Sequence, residues 1–352
     1  MQHVGIAGAG LIGRLLAWRL LRCGYSVSIF DGDGRSGQAA AGTTAAGMLA
    51  PICEGAEGEG QIAEMGQGSV AAWSALLADL GADGAPPVDL CTAGSLVVAH
   101  AADIGNWERF RARLAALDCA WQELDQGQLR ELEPELADTF PRALYLPEEG
   151  CLDSRQLFVA LEKVIDMMGG KWHTDEPVAA VHPRELRLAS GERLLFDLAA
   201  DCRGMGAKGQ WPALRGVRGE VLLVCAPEVR LSRPVRLLHP RYQLYIVPRR
   251  RQVFMVGATE IESDARHGVT VRSGLELLSA LFSLHSGFAE AEILELDTGL
   301  RPAFPDNLPK LEAASGLLRV NGLYRHGYLV APVLLEKSMA ALEAMWPTAA
   351  AL

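Results

Sequence analysis

Three glycines and one acid near the start of the chain have the types and spacing to hold a dinucleotide. Gly8, Gly10 and Gly13 form a Gly-x-Gly-x-x-Gly turn, and Asp31 follows eighteen residues after Gly13. In a strand–turn–helix–strand unit the first glycine makes the tight turn, the second lets backbone approach a pyrophosphate, and the third lets the helix pack on the sheet. The phosphates then lie at the helix N-terminus. A carboxylate at Asp31 accepts hydrogen bonds from a ribose 2'-OH and repels a 2'-phosphate. The unit predicts a dinucleotide site, with NAD and FAD equally open at this point.

Positioning these groups requires a strand at 3–7, a helix at 11–22 and a strand at 26–30. After Asp31 the passage 32–51 is rich in glycine, alanine and threonine, which suits close approach of backbone to a ligand. Apolar periodicity predicts a helix at 61–80, closed by Pro86-Pro87, and a strand at 94–99. Helices at 104–117 and 126–132 and a strand at 143–146 follow. Ser154 is expected to cap a helix running to Met168 that Gly169-Gly170 ends. Short strands at 177–181, 185–188 and 193–196 include a hairpin around Ser190-Gly191. Strands then succeed one another from 217 to 258, before a helix at 271–284, strands at 293–300 and 317–320, and a helix at 328–345. Helices and strands alternate at the ends of the chain and strands cluster in its middle. The fold class is therefore α/β, a Rossmann-like domain with an inserted α+β domain built on an antiparallel sheet.

The 352 residues are enough for about two domains, and 49% hydrophobic with 22% charged residues is ordinary globular composition. With 33 basic against 43 acidic residues, a net charge of -10 disfavours nucleic acid or an anionic membrane as main partner. Seven cysteines are scattered without any CxxC, so no disulfide framework or metal site is expected. With a strand beginning by His3 no cleaved leader is expected, and Arg14 and Arg19 interrupt the apolar stretch 11–21. The expected location is a reducing cytoplasm.

Four further segments carry a family likeness: Ala40-Ala-Gly42-Thr43-Thr44-Ala-Ala-Gly47-Met48-Leu49-Ala-Pro51; Gln243-Leu-Tyr245-Ile-Val-Pro248-Arg249, followed by Val256-Gly257-Ala258-Thr259; Thr298-Gly-Leu-Arg301-Pro302; and Asn321-Gly322-Leu-Tyr-Arg325-His-Gly327-Tyr-Leu-Val-Ala331-Pro332. Together with the glycine turn they resemble the glycine oxidase branch of the FAD-dependent D-amino acid oxidase superfamily, the branch that serves thiamine biosynthesis. The resemblance implies an FAD-binding domain of the GR2 type from 1–85, 150–218 and 297–352, and a substrate domain from 86–149 and 219–296. It implies non-covalent FAD, with the pyrophosphate at Gly8, Gly10 and Gly13 and the adenosine ribose on Asp31. Thr43, Thr44, Gly47 and Met48 would contact phosphates and flavin, Val178 the adenine edge through its backbone, and Gly204 the loop near the cofactor. Gly327 and its neighbour Tyr328 would lie beside the pyrimidine end of the flavin. Tyr245 and Arg301 would grip the substrate carboxylate, and Arg325 would wall the amine side, largely through its backbone carbonyl. Glycine, sarcosine, D-alanine and D-proline are the implied substrates, oxygen the electron acceptor, and a homo-oligomer the assembly. Gln243 and Glu260 depart from the histidine and methionine that glycine oxidases have there, and 201–207 departs from their Ala-Ser/Thr-Gly-x-Trp pattern. These departures leave the pocket's size and polarity open.

The chemistry agrees with these residue types. A guanidinium gives a carboxylate two parallel hydrogen bonds and stays ionised, while the hard redox step belongs to the cofactor. No nucleophile–base dyad is found, and none is needed if the amine arrives unprotonated. A D-amino acid oxidase or dehydrogenase, a nicotinamide-dependent dehydrogenase and a tRNA-modifying flavin module are the competing readings. His326 is expected to open a helix without a catalytic task, and Arg249-Arg250-Arg251 to form a solvated turn.

Overall fold

His3–Ala7 (β1) and Ser26–Phe30 (β2) are buried on both faces, the pattern of strands inside a parallel sheet covered by helices. In the computed structural model, which describes residues 2–239 and 243–345, β1 pairs in parallel with β2, Val4 beside Val27 and Ile6 beside Ile29. The sheet has six strands in the order Lys310–Ala314, Leu317–Asn321, Leu198–Asp201, β1, β2, Lys171–His173. Only its outer pair, 310–314 with 317–321, is antiparallel. The helix Leu11–Arg22 (α1), Ser154–Met167 and Gly327–Met345 share one core with it, built on Leu15, Trp18, Leu161, Val330 and Leu334.

A second sheet of nine strands carries the other core. Its long strands Arg215–Cys225 and Glu292–Ala303 pair antiparallel over most of their length, so that Arg301 stands opposite Val217. The sheet continues through Val253–Gly257, Gln243–Pro248, Val235–Leu238, Ser95–Ala99, Arg142–Leu146 and Gln122–Asp125. The junction of 235–238 with 95–99 is parallel and stitches the two sequence-distant halves together. The two long strands run through positions 218/219 and 296/297, the expected segment limits.

Most elements lie where periodicity puts them, and the differences have local causes. The expected helix 61–80 is two helices, Gly60–Gly66 and Ser69–Ala82. Gly68 breaks it at φ +71, and Gly66 packs its bare backbone on Leu329. The helix after strand 150–152 is capped by Asp153, whose carboxylate accepts from the N–H groups of Arg155 and Gln156 at 3.0 Å. Ser154 is instead its first residue, and its hydroxyl donates to the Ala45 carbonyl at 2.6 Å. The passage 32–51 contains a helical turn at Ala41–Thr44 and a two-residue strand at Met48–Leu49. Arg249 is not solvated: its Nη2 donates to the Ala46 carbonyl at 2.7 Å, while Arg250 is exposed. Among the described residues no helix is long and apolar enough to cross a membrane, and no cluster fit for a metal ion is found.

Candidate active site

The turn after β1 has the shape its glycines demand. Gly8 sits at φ +99, and a Cβ there would overlap the Cys202 carbonyl. A Cβ on Gly13 would overlap the Gly8 carbonyl, so this glycine sets how closely α1 approaches β1. Gly10 meets nothing within 4 Å, because it faces a cavity. The turn is braced from behind: Arg14 is fully buried and donates to the Ala9 carbonyl at 2.7 Å. Asp31 is fixed to the same turn, accepting from the Ala9 N–H at 2.5 Å and the Asp33 N–H at 2.9 Å.

The cavity, about 550 Å³, runs from this turn to the nine-stranded sheet. Gly8, Gly10, Asp31, Thr44, Gly47, Met48, Val178, Gly204, Tyr245, Arg301, Arg325, Gly327 and Tyr328 all line it. Residues from positions 8 to 328 thus converge on one space. Two predicted residues stand behind the lining. Gly13 packs under Gly8, and Thr43 turns its hydroxyl to the carbonyls of Ala40 at 2.8 Å and Gly37 at 3.1 Å. Thr44 donates to Asp297 at 3.0 Å, which ties the threonine turn to the strand bearing Arg301. Tyr328 donates to the Gly42 carbonyl at 2.8 Å, fastening the last helix to the same turn. The Val178 carbonyl accepts from Arg203 at 2.9 Å and the Gly204 carbonyl from Asn321 at 2.9 Å. The side chain of Gln243 lies outside the described residues.

The residues fit an FAD. An open glycine backbone at a helix N-terminus, a carboxylate beside it and a threonine turn on the far wall supply what a pyrophosphate, a ribose and a ring system need. One cysteine, Cys202, lines the cavity, at the glycine turn rather than beside Met48 and Tyr245. Burial pushes its thiol up, which makes it a poor nucleophile.

At the other end Arg301 and the Tyr245 hydroxyl face the cavity. Arg301 Nη1 donates to the Thr259 carbonyl at 2.9 Å, but among the described residues no carboxylate forms an ion pair with it. The Tyr245 hydroxyl has no hydrogen-bond partner among the described residues, and burial pushes its pKa up, keeping it a neutral donor. Arg325 differs: Glu54 at 2.8 Å, Glu57 at 3.1 Å and Glu260 at 2.8 Å hold its guanidinium. Burial pushes Glu260 up, but Arg325 and Arg301 outweigh it and hold the carboxyl below its ordinary value.

Sequence reasoning missed the charged cluster around Arg325. Glu54, which lines the cavity and is buried, is pushed up to about 7 by burial, assisted by Glu57 and Glu149 against the pull of Arg325 and Arg236. Arg236 is buried, lines the cavity and pairs with Glu57. An arginine between apolar neighbours in Val235–Leu238 was the available signal, since such a strand buries a charge only beside partners. His326 does stand at the helix start but is buried with both ring nitrogens unbonded among the described residues. Burial, then Arg325, pushes it down to about 3.

Comparison with known proteins places the chain in a family and its fold among solved structures. The profile of the family described as FAD dependent oxidoreductase matches residues 3–335. A relative from Rhizobium etli, named "Putative thiamine biosynthesis oxidoreductase ThiO", is 41% identical over 337 residues, covering 95% of this chain and 94% of its own. The crystal structure of glycine oxidase from Geobacillus kaustophilus superposes with a TM-score of 0.83 at 24% identity, covering 99% of this chain and 96% of that one. That of iminodiacetate oxidase from Chelativorans gives 0.81 at 23% identity, covering 97% and 95%. The family match begins at β1 and ends inside the last helix, so it takes in every segment that lines the cavity, and the chain belongs to the family of FAD dependent oxidoreductases.

Proposed function

We propose that this protein oxidises glycine and other small amino acids with FAD, held non-covalently, and passes the electrons to oxygen. The overall reaction takes glycine, oxygen and water to glyoxylate, ammonia and hydrogen peroxide through the imine. One observation carries the reading: Arg301 and the Tyr245 hydroxyl, the first without an acid partner and the second unbonded among the described residues, face the same cavity as the glycine turn and Asp31. A half-buried cation without an acid paired to it among the described residues is open to an anion, and a substrate carboxylate is such an anion.

Bound FAD would accept the hydride of the α-carbon, and the glycine turn, Asp31, Thr44, Gly47, Met48 and the start of the last helix would hold it. Arg301 would bind the carboxylate through two parallel N–H groups, with the Tyr245 hydroxyl as a third donor. This fixes the α-carbon and leaves the amine directed toward Arg325 and its acids. The cluster of Glu54, Glu57 and Glu260 offsets the charge of Arg325, so the amine side of the pocket is not strongly cationic. Met48 and the body of Tyr245 exclude water and limit size. The Rhizobium etli relative's name supports a role in thiamine biosynthesis, in which the imine would feed the thiazole.

Anaerobic reduction of the flavin with glycine, sarcosine, D-alanine and D-proline, repeated in air with peroxide detection, tests the reading. Bleaching by glycine with peroxide in air is expected. Bleaching only by bulkier D-amino acids would move the assignment to a D-amino acid oxidase, and reduction without peroxide to a dehydrogenase.

A further inference from the structure

Cys91 and Cys151 stand directly opposite one another on neighbouring antiparallel strands, Leu90–Cys91 and Gly150–Leu152. Opposed residues project from the same face with Cα atoms roughly 4.5 to 5.5 Å apart. A disulfide spans about 4.4 to 6.8 Å between Cα atoms. Both thiols are free, Cys91 half-exposed and Cys151 buried.

Their surroundings divide the labour. A hydrogen bond from Cys151, then the Ala93 backbone and Arg233, outweigh burial and bring the Cys91 thiol down to about 6. That same hydrogen bond, with burial, pushes Cys151 well up. Such an accessible thiolate beside a protonated partner is the arrangement of an attacking and a resolving thiol. On its other edge Cys151 stands opposite Met48, and both cysteines share an apolar cluster with Met48 and Tyr245. The pair therefore backs the wall of the substrate end of the cavity.

The geometry points to Cys91 and Cys151 as a modification site, an oxidisable pair that hydrogen peroxide closes into an intramolecular disulfide behind that wall. The Cys91 sulfur attacks one peroxide oxygen; the O–O bond breaks, and the hydroxide released takes up a proton as water. The Cys151 sulfur then attacks the sulfenic acid sulfur; the S–O bond breaks, and the second water leaves with the Cys151 proton. Two thiols lose two electrons in total, and one peroxide becomes two waters. The local supply of peroxide rests on the oxidase reading above, whereas the reactivity of the pair does not.

The test uses the FAD-loaded protein without substrate, treated with stoichiometric hydrogen peroxide. Thiols titrated in denaturant are expected to fall from the seven of the sequence to about five, with no intermolecular product. Peptide mapping is expected to join residues 91 and 151 by a link that dithiothreitol removes. Cys151→Ser is expected to leave a sulfenic acid at position 91 that dimedone traps, and Cys91→Ser to form no link. A link between other cysteines, or all seven thiols retained, overturns the proposal. In a second arm, turnover of glycine in air is expected to form the link without catalase and not with it. Closure by added peroxide but not by turnover would locate the failure in the oxidase reading and leave the pair standing.

Discussion

Replacing Arg301 with alanine removes a cavity arginine that forms no ion pair with an acid among the described residues. Loss of one partner of a desolvated charge pair costs about 2 to 5 kcal/mol, so the glycine KM is expected to rise roughly 30-fold to several thousand-fold. FAD content should not change, and an unaltered KM would remove Arg301 from the site. The acids near Arg325 make a different prediction. Glu54 titrates at about 7 against an ordinary 4.5, so the folded state holds its proton more tightly. Its contribution to stability therefore falls as pH rises between these values. His326, at about 3 against 6.5, refuses its proton when folded, so its contribution is full above 6.5 and is lost as pH falls toward 3. Melting curves across pH for Glu54→Gln and His326→Gln should remove opposite slopes, and two flat difference curves would refute both assignments. Neither shift was legible beforehand, although His326 was expected at its helix start. Glu54 reads as an ordinary acid of a first helical turn until the fold brings Arg325 and Arg236 to it from 182 to 271 residues away.

A Gly13→Ala substitution adds one methyl group where α1 crosses the turn after β1. The methyl overlaps the Gly8 carbonyl, so either the helix withdraws or the turn deforms. Overpacking of this kind costs about 1 to 3 kcal/mol, and the purified variant is expected to retain little FAD by its absorbance. Full flavin content would contradict the packing role given to Gly13. The element pattern was the most legible level of this chain, because a buried strand and an amphipathic helix imprint their own periods on sequence. The exceptions arose where tertiary contact decides. The break at Gly68 depends on a left-handed residue in an otherwise helical run, and Asp153 displaced Ser154 as cap because Ser154 is drawn to the Ala45 carbonyl. Likewise Arg249 looked like part of a charged hairpin, but the Ala46 carbonyl takes it inward.

Across the whole molecule, the cavity lies between two sheets that share no strand, and its lining comes from both. A cofactor bound there stabilises the folded state by mass action, about 2.7 kcal/mol when its free concentration is 100 times Kd. The melting temperature of the apoprotein should therefore climb with added FAD and not with NAD. The reverse response would transfer the protein to nicotinamide chemistry. The fingerprint in the first 31 residues could not make that distinction, since either cofactor suits a glycine turn with an acid beyond it. The distinction came from segments far along the chain whose meeting no local pattern reveals.

The bond from the Tyr328 hydroxyl to the Gly42 carbonyl has a temporal meaning as well as a spatial one. During synthesis the glycine turn emerges from the ribosome early, but the threonine turn opposite it gains its bond to the helix Gly327–Met345 only once Tyr328 has been made. Tight flavin capture is thus expected only after Tyr328 has been made. A nascent chain stalled before Gly327 is expected to release FAD on gel filtration, whereas one extended through Met345 should keep it.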